Sequence, residues 1–210
     1  VPSTAHAETD SSPQSRAPRR VLAILVGSQI LSGAGLAAGV TVGALLAQDM
    51  LGSTNLAGLP SALFTTGSGI HIGAMYLPSP LTGWLVDRYG RLTLAAASGI
   101  TLLAAGIIAA TAPGDSIALL ALALALLGLG WNFGLVSGTA IITDTVPLAT
   151  RAKTQGLIDV SIAIAEATGG LASGVIVGTV GSPVLALAGG ILALSIVPAV
   201  IATRSTAARS

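Results

Sequence analysis

Apolar residues run through this chain in six long blocks separated by short polar joints. The first block extends from Val21 to about Ala47, and the others cover about 60–85, 92–112, 117–141, 156–179 and 184–203. Each is close to or above the roughly 20 residues that a helix needs to cross the hydrocarbon core of a bilayer. The blocks are too long for strands and show no period-2 alternation, which argues against a transmembrane barrel. The joints read LGSTN, DRYGR, TAPGD, the polar stretch Thr143–Gln155 and VGSP, all of turn or breaker composition. The pattern predicts an all-α membrane protein with six transmembrane helices packed as one bundle over 21–203. Residues 1–20 are polar, rich in Ser and Pro, and read as a disordered tail; residues 204–210 form a short second tail. Val1 is read as either a non-standard start or a trimmed chain, whereas TRSTAARS has the composition of an ending. The first block follows a basic stretch, as a signal peptide would. It is too long for a signal h-region and lacks a clear small-x-small cleavage pattern before Asp49, so it is assigned as a span.

Composition strengthens this reading. Only 8% of the 210 residues are charged, against about a quarter in a soluble domain, and mean hydropathy is +0.88. The net charge of +1 gives no footprint for nucleic acid. With no cysteine, disulfides, thiolate metal sites and cysteine catalysis are excluded. No P-loop, hydrolase constellation or metal-ligand cluster is found, so the expectation is a non-enzyme with no cofactor and no metal. Aromatics are 3%, while glycines number 27; small residues let helices approach closely in lipid.

Charge placement sets orientation. With the N-terminal tail inside, the cytoplasmic segments hold Arg16, Arg19, Arg20, Arg88, Arg91, Arg151, Lys153, Arg204 and Arg209, which is every one of the 9 basic residues. The external loops hold none and carry Asp49 and Asp115. By the positive-inside rule both termini are expected in the cytoplasm.

The joint between the second and third spans reads Gly83-Trp84-Leu85-Val86-Asp87-Arg88-Tyr89-Gly90-Arg91. Gly83 and Gly90 suit a tight, close-packed turn. Asp87, Arg88 and Arg91 form a charge cluster able to cap a helix end and to pair charges across a moving interface. Lys/Arg bias explains the arginines but not the glycines or Asp87. The segment resembles the signature loop of the major facilitator superfamily, G-x-L-x-D-R-x-G-R, in the slot where that family places it. Leu92 departs from it, a further basic residue being common there. The resemblance implies that Gly83, Asp87, Arg88, Gly90 and Arg91 form a conformational latch on the cytoplasmic side.

The likeness extends further, as a splice. Residues 21–69 resemble the start of the N-terminal half of drug-efflux-like members of that family, and residues 71–203 resemble the C-terminal half. The family is normally about twelve helices in two six-helix halves, so this chain resembles a half-size form with a junction near residues 66–71. The antiporter glycine–proline motif of the family is not found; ATGGLASG has the glycines without a proline.

Ionisable groups inside a membrane are costly and carry functional expectations by default. Asp159 and Glu166 of the fifth span are seven residues apart and share a face, continued by Ala163, Gly170 and Ser173. Such a small, polar stripe is expected to face a water-filled cavity, where one acid cycles a proton or recognises a cation. Against this, Asp159 lies only a turn past a loop and can simply be wet; Glu166 is the deeper. His71 of the second span titrates near neutral pH in its ordinary state, with helix packing as the plainer reading. Gln29, Asn132 and Trp131 are polar cavity candidates, although an interhelical hydrogen bond is the commoner use of Gln and Asn in a span. Trp84 suits an interfacial anchor and Tyr76 a stacking or interface position. Three spans carry G-x-x-x-G-x-x-x-G, at Gly35/Gly39/Gly43, Gly130/Gly134/Gly138 and Gly170/Gly174/Gly178, which marks expected helix crossings.

The function expected is secondary transport of a small organic solute or drug, proton-coupled, in the inner (plasma) membrane of a bacterium. A single half leaves its cavity face open, so a parallel homodimer is the expected partner state. The competing expectation is a non-transporting remnant, or an accessory protein bound to a full-length transporter.

Overall fold

A computed structural model describes residues 69–113, 116–198 and 200–201. Every described element is a helix, as an apolar chain in lipid requires: the helix satisfies its own backbone groups where water cannot. Span two divides into α1 (69–76) and α2 (Ser79–Tyr89), followed by α3 (Arg91–Thr111), α4 (Ile117–Thr145), α5 (Leu148–Val180) and α6 (Ser182–Leu194). Beyond a turn at Ser195 the chain is helical again over 196–198 and 200–201. Three of these helices, α3, α4 and α5, are long and apolar enough to cross a membrane. The first span, and with it Gln29 and the Gly35/Gly39/Gly43 triplet, lies outside the described residues.

The breaks follow from backbone chemistry. Pro78 and Pro80 bring no N–H to the ladder of span two. Gly90 has φ +89° and Gly181 φ +88°, conformations that side chains with a Cβ rarely adopt. Pro113 ends the third helix region, and Ser116 caps α4 by accepting from the Leu119 N–H at 3.4 Å. The polar stretch Thr143–Gln155, read from the sequence as a joint, is almost wholly helical; only Val146 and Pro147 interrupt it. Its Thr, Arg, Lys and Gln residues tolerate a helix well once it leaves the hydrocarbon. At 33 residues, α5 is about 50 Å long, well beyond a bilayer core of about 30 Å.

The core is built by α3, α4 and α6. Leu94, Leu102 and Ala105 of α3 are buried with Ala123, Trp131 and Ile141 of α4 and Leu185 and Ala193 of α6. Helices meet at small residues. A Cβ on Gly130 would lie 2.8 Å from Leu102 Cγ, and one on Gly106 only 2.6 Å from the Ala186 carbonyl oxygen. Among the described residues helix α5 is peripheral, with only Ile158 and Ser173 buried. Ile158 packs with Ile142 and Val146 at one end, and Ile176 and Val177 rest on Leu185 at the other. The glycine triplets therefore part ways. Gly130 marks a crossing, whereas a Cβ on Gly174 or Gly178 would meet nothing within 4 Å; that face of α5 is open among the described residues.

Candidate functional site

The candidate residues fall into three groups. The first surrounds the break in span two. A proline-broken helix at membrane depth needs its backbone repaired by neighbours, and α4 supplies the repair. The Asn132 side-chain amide donates to the Met75 carbonyl at 2.7 Å and to Ser79 Oγ at 2.8 Å. Its oxygen accepts from the Thr82 hydroxyl. Asn132 and Thr82 are both fully buried, so the amide serves helix contacts rather than a cavity. One turn of α4 earlier, a Cβ on Gly128 would collide with the His71 carbonyl, letting α1 lie directly on α4. Buried His71 donates from Nδ1 to the Leu124 carbonyl at 3.4 Å. Trp131 is buried as well, while Tyr76 and Trp84 are more than half exposed.

The second group lies at the basic end. Arg91, the first residue of α3, forms an ion pair with Asp144 near the end of α4, both side chains about two-fifths exposed. The turn before it needs Gly90 for its positive φ, and Thr93 Oγ1 donates back to the Tyr89 carbonyl at 2.8 Å. Gly83 differs from expectation: it sits in α2 with no atom within 4 Å of where a Cβ would be, so no close packing requires it among the described residues. Asp87 and Arg88 are exposed at the end of α2. Arg151 of α5 reaches back to the Thr143 carbonyl at 2.5 Å and the Val146 carbonyl at 3.4 Å. It thereby satisfies carbonyls that the end of α4 leaves without helical partners. An open cleft of about 380 Å³ lies between Tyr89–Thr93 on one side and Ile141, Asp144 and Thr145 on the other. A half-exposed pair such as Arg91–Asp144 is worth at most about 1 kcal/mol.

The third group is the acidic stripe of α5. Asp159 is exposed and accepts from Gln155 Nε2 at 2.8 Å. Glu166 is half-buried, Ala163 is exposed, and Ser173 is buried with its hydroxyl donating to the Gly170 carbonyl at 2.7 Å. The two acids lie two turns apart on one face of α5, as the spacing predicts. No hydrogen bond links this stripe to the Asn132 cluster among the described residues.

Sequence reasoning missed Asp144, Ser79, Thr82 and Ser98. Asp144 was hidden in a stretch read as a joint, yet a lone acid closing a long apolar block is a natural partner for arginines at the same membrane face. Pro78-Ser79-Pro80 inside a span was itself a signal that a neighbouring helix must offer a polar side chain at that depth. Ser98 Oγ donates to the Gly130 carbonyl at 2.6 Å, a contact that composition alone cannot anticipate.

A family model described as the Major Facilitator Superfamily matches residues 25–209. The chain is 60% identical over 136 residues to YdeG, an uncharacterized MFS-type transporter of Bacillus subtilis, covering 65% of this chain and 32% of that protein. It is 57% identical over 133 residues to a second uncharacterized MFS-type transporter of that organism, YddS, covering 63% and 30%. A riboflavin transporter of Brucella anthropi, RfnT, is 40% identical over 89 residues, covering 42% and 22%. The alignments thus cover about a third of the length of the first two relatives. No solved structure gives a significant match.

Proposed function

The chain belongs to the major facilitator superfamily, and from that premise we propose that it is a half-size secondary transporter acting as a parallel homodimer. Each copy contributes one six-helix half of the pathway. The observation that carries this reading is the sparsely covered side of α5 among the described residues, where Asp159 is exposed, Glu166 is half-buried and a Cβ on Gly174 or Gly178 would meet nothing within 4 Å. In this family substrate binds near the bilayer midplane between two halves of like orientation. A second copy, related by a two-fold axis along the membrane normal, brings the same face opposite itself. Charges buried in such a cavity are functional by default; Glu166 is the proton-coupling acid and Asp159 its shallower companion. The Asp87–Arg91 loop acts as the cytoplasmic latch, with both termini in the cytoplasm of a bacterial cell. The cargo is a small organic solute or drug, carried without covalent chemistry. Riboflavin is a reasonable first solute to assay, since one relative is named as its transporter.

The test begins with the mass of the protein in a native nanodisc, lipid subtracted. It continues with solute uptake into liposomes under an imposed proton gradient, by the native chain and by Glu166→Gln. A dimer whose uptake is lost in Glu166→Gln supports the proposal. A clean monomer removes the homodimer and favours association with a full-length transporter; unchanged uptake in Glu166→Gln removes that residue from coupling.

A further inference from the structure

Helix α2 is bounded by a break at each end. At its start, Pro78 and Pro80 interrupt the ladder, and the backbone bonds from Leu77 N–H to the Gly73 carbonyl and from Thr82 N–H to the Pro78 carbonyl flank the interruption. At its end stands Gly90 with φ +89°. Between them, among the described residues, α2 buries only Thr82 and Val86, while Leu81, Trp84 and Tyr89 are each more than half exposed. Its neighbours are held differently. Helix α3 is tied to α4 by the Ser98–Gly130 hydrogen bond and the Leu102–Gly130 contact, and to α6 by the close approach of Gly106 and Gly190. A segment with few buried apolar contacts, lying on a well-packed pair, belongs to the low-stability end of a fold.

One side chain of α4 bridges the break. Asn132 reaches across the break, bonding Met75 on the α1 side and Ser79 and Thr82 on the α2 side. We infer that α2 moves as a unit between the Leu77–Pro78 break and Gly90, and that Asn132 is the pin whose release of Ser79 and Thr82 permits the movement. The loop motif is then divided. Asp87 and Arg88 ride on α2, whereas Arg91 stays with α3, where it is paired to Asp144. The alternative, in which Asn132 only repairs the broken backbone, makes a different prediction: its loss loosens the whole α3–α4 region, not α2 alone.

The chain contains no cysteine, so introduced cysteines are the only labelling sites. Spin labels on Leu81→Cys of α2 and Ile191→Cys of α6, both on exposed positions, report α2 against the packed helices. Leu122→Cys with Ile191→Cys is the control pair across α4 and α6. Distances are measured by pulsed electron resonance on the full chain in lipid nanodiscs. Asn132→Ala is expected to broaden the α2 distribution beyond its native width and leave the control unchanged. Adding Pro78→Ala, which restores a ladder donor, is expected to narrow it again. A control pair that broadens as much as the α2 pair, or an α2 distribution unmoved by Asn132→Ala, overturns the inference. Should Asn132→Ala fail to assemble, Thr82→Val removes a single hydroxyl from the pin. It must broaden the α2 pair in the same direction, and an unaltered distribution overturns the inference equally.

Discussion

Gly106 of α3 and Gly190 of α6 face each other at a distance that admits no side chain. A Cβ on Gly106 would lie 3.2 Å from the Gly190 Cα, and one on Gly190 would lie 3.1 Å from the Leu103 Cα. The obstructing atoms are backbone, which cannot rotate away. Gly106→Val is therefore expected to destabilise the bundle by about 1–3 kcal/mol, the usual cost of overpacking. Gly178→Ala, on the open face of α5, is expected to be neutral or stabilising by up to about 1 kcal/mol. Unfolding in bicelles monitored by helical circular dichroism compares the two; equal losses would show that α5 is covered on that face.

The two loop glycines are expected to respond in opposite ways. Gly90→Ala meets no atom, so its cost is backbone strain alone, about 1–3 kcal/mol at φ +89°. Gly83→Ala lies inside α2 with space around it and is expected to leave stability unchanged or raise it by up to about 1 kcal/mol. Thermal melts of the two variants in the same lipid provide the comparison, and a large loss at Gly83 would reveal a neighbour beyond the described residues.

Charge reversal tests the pairing of Arg91 with Asp144. Asp144→Arg places two cations together and Arg91→Asp two anions, so each single variant should lose up to about 1 kcal/mol at low salt, less as salt screens the site. The double reversal should recover most of that loss. Additive losses in the double variant would mean that the two side chains do not act on each other.

Ser98→Ala removes the hydroxyl that bonds the Gly130 carbonyl at 2.6 Å. Interhelical hydrogen bonds in membranes average about 0.6 kcal/mol, so the expected effect is small and local. Hydrogen exchange should rise in α3 and α4, which carry the two bonded residues, and stay as it was in α5. A rise spread evenly over all helices would contradict the assignment.

Much of this protein was legible without coordinates. The length and polarity of the apolar blocks set helix rather than strand, because only internal hydrogen bonding survives in hydrocarbon. The turn at Gly90 and the break at Gly181 were visible as DRYGR and VGSP, since glycine there answers a local backbone need. The seven-residue spacing of Asp159 and Glu166 also settled that they share a face, a consequence of 3.6 residues per turn.

What the sequence could not supply was which face meets which. The partners of Asn132 stand 50 to 57 positions away along the chain, and no local period encodes them. Among the described residues the same repeat of glycines is a crossing at Gly130 and an open surface at Gly174 and Gly178, because small residues permit close approach without choosing the neighbour. The sequence by itself determined a helical membrane chain, its turns at Gly90 and Gly181 and its basic end. Only the tertiary structure decided that Asp144 completes the loop and that Asn132 binds α2 to α4, because both are pairings between helices whose relative rotation is fixed by packing.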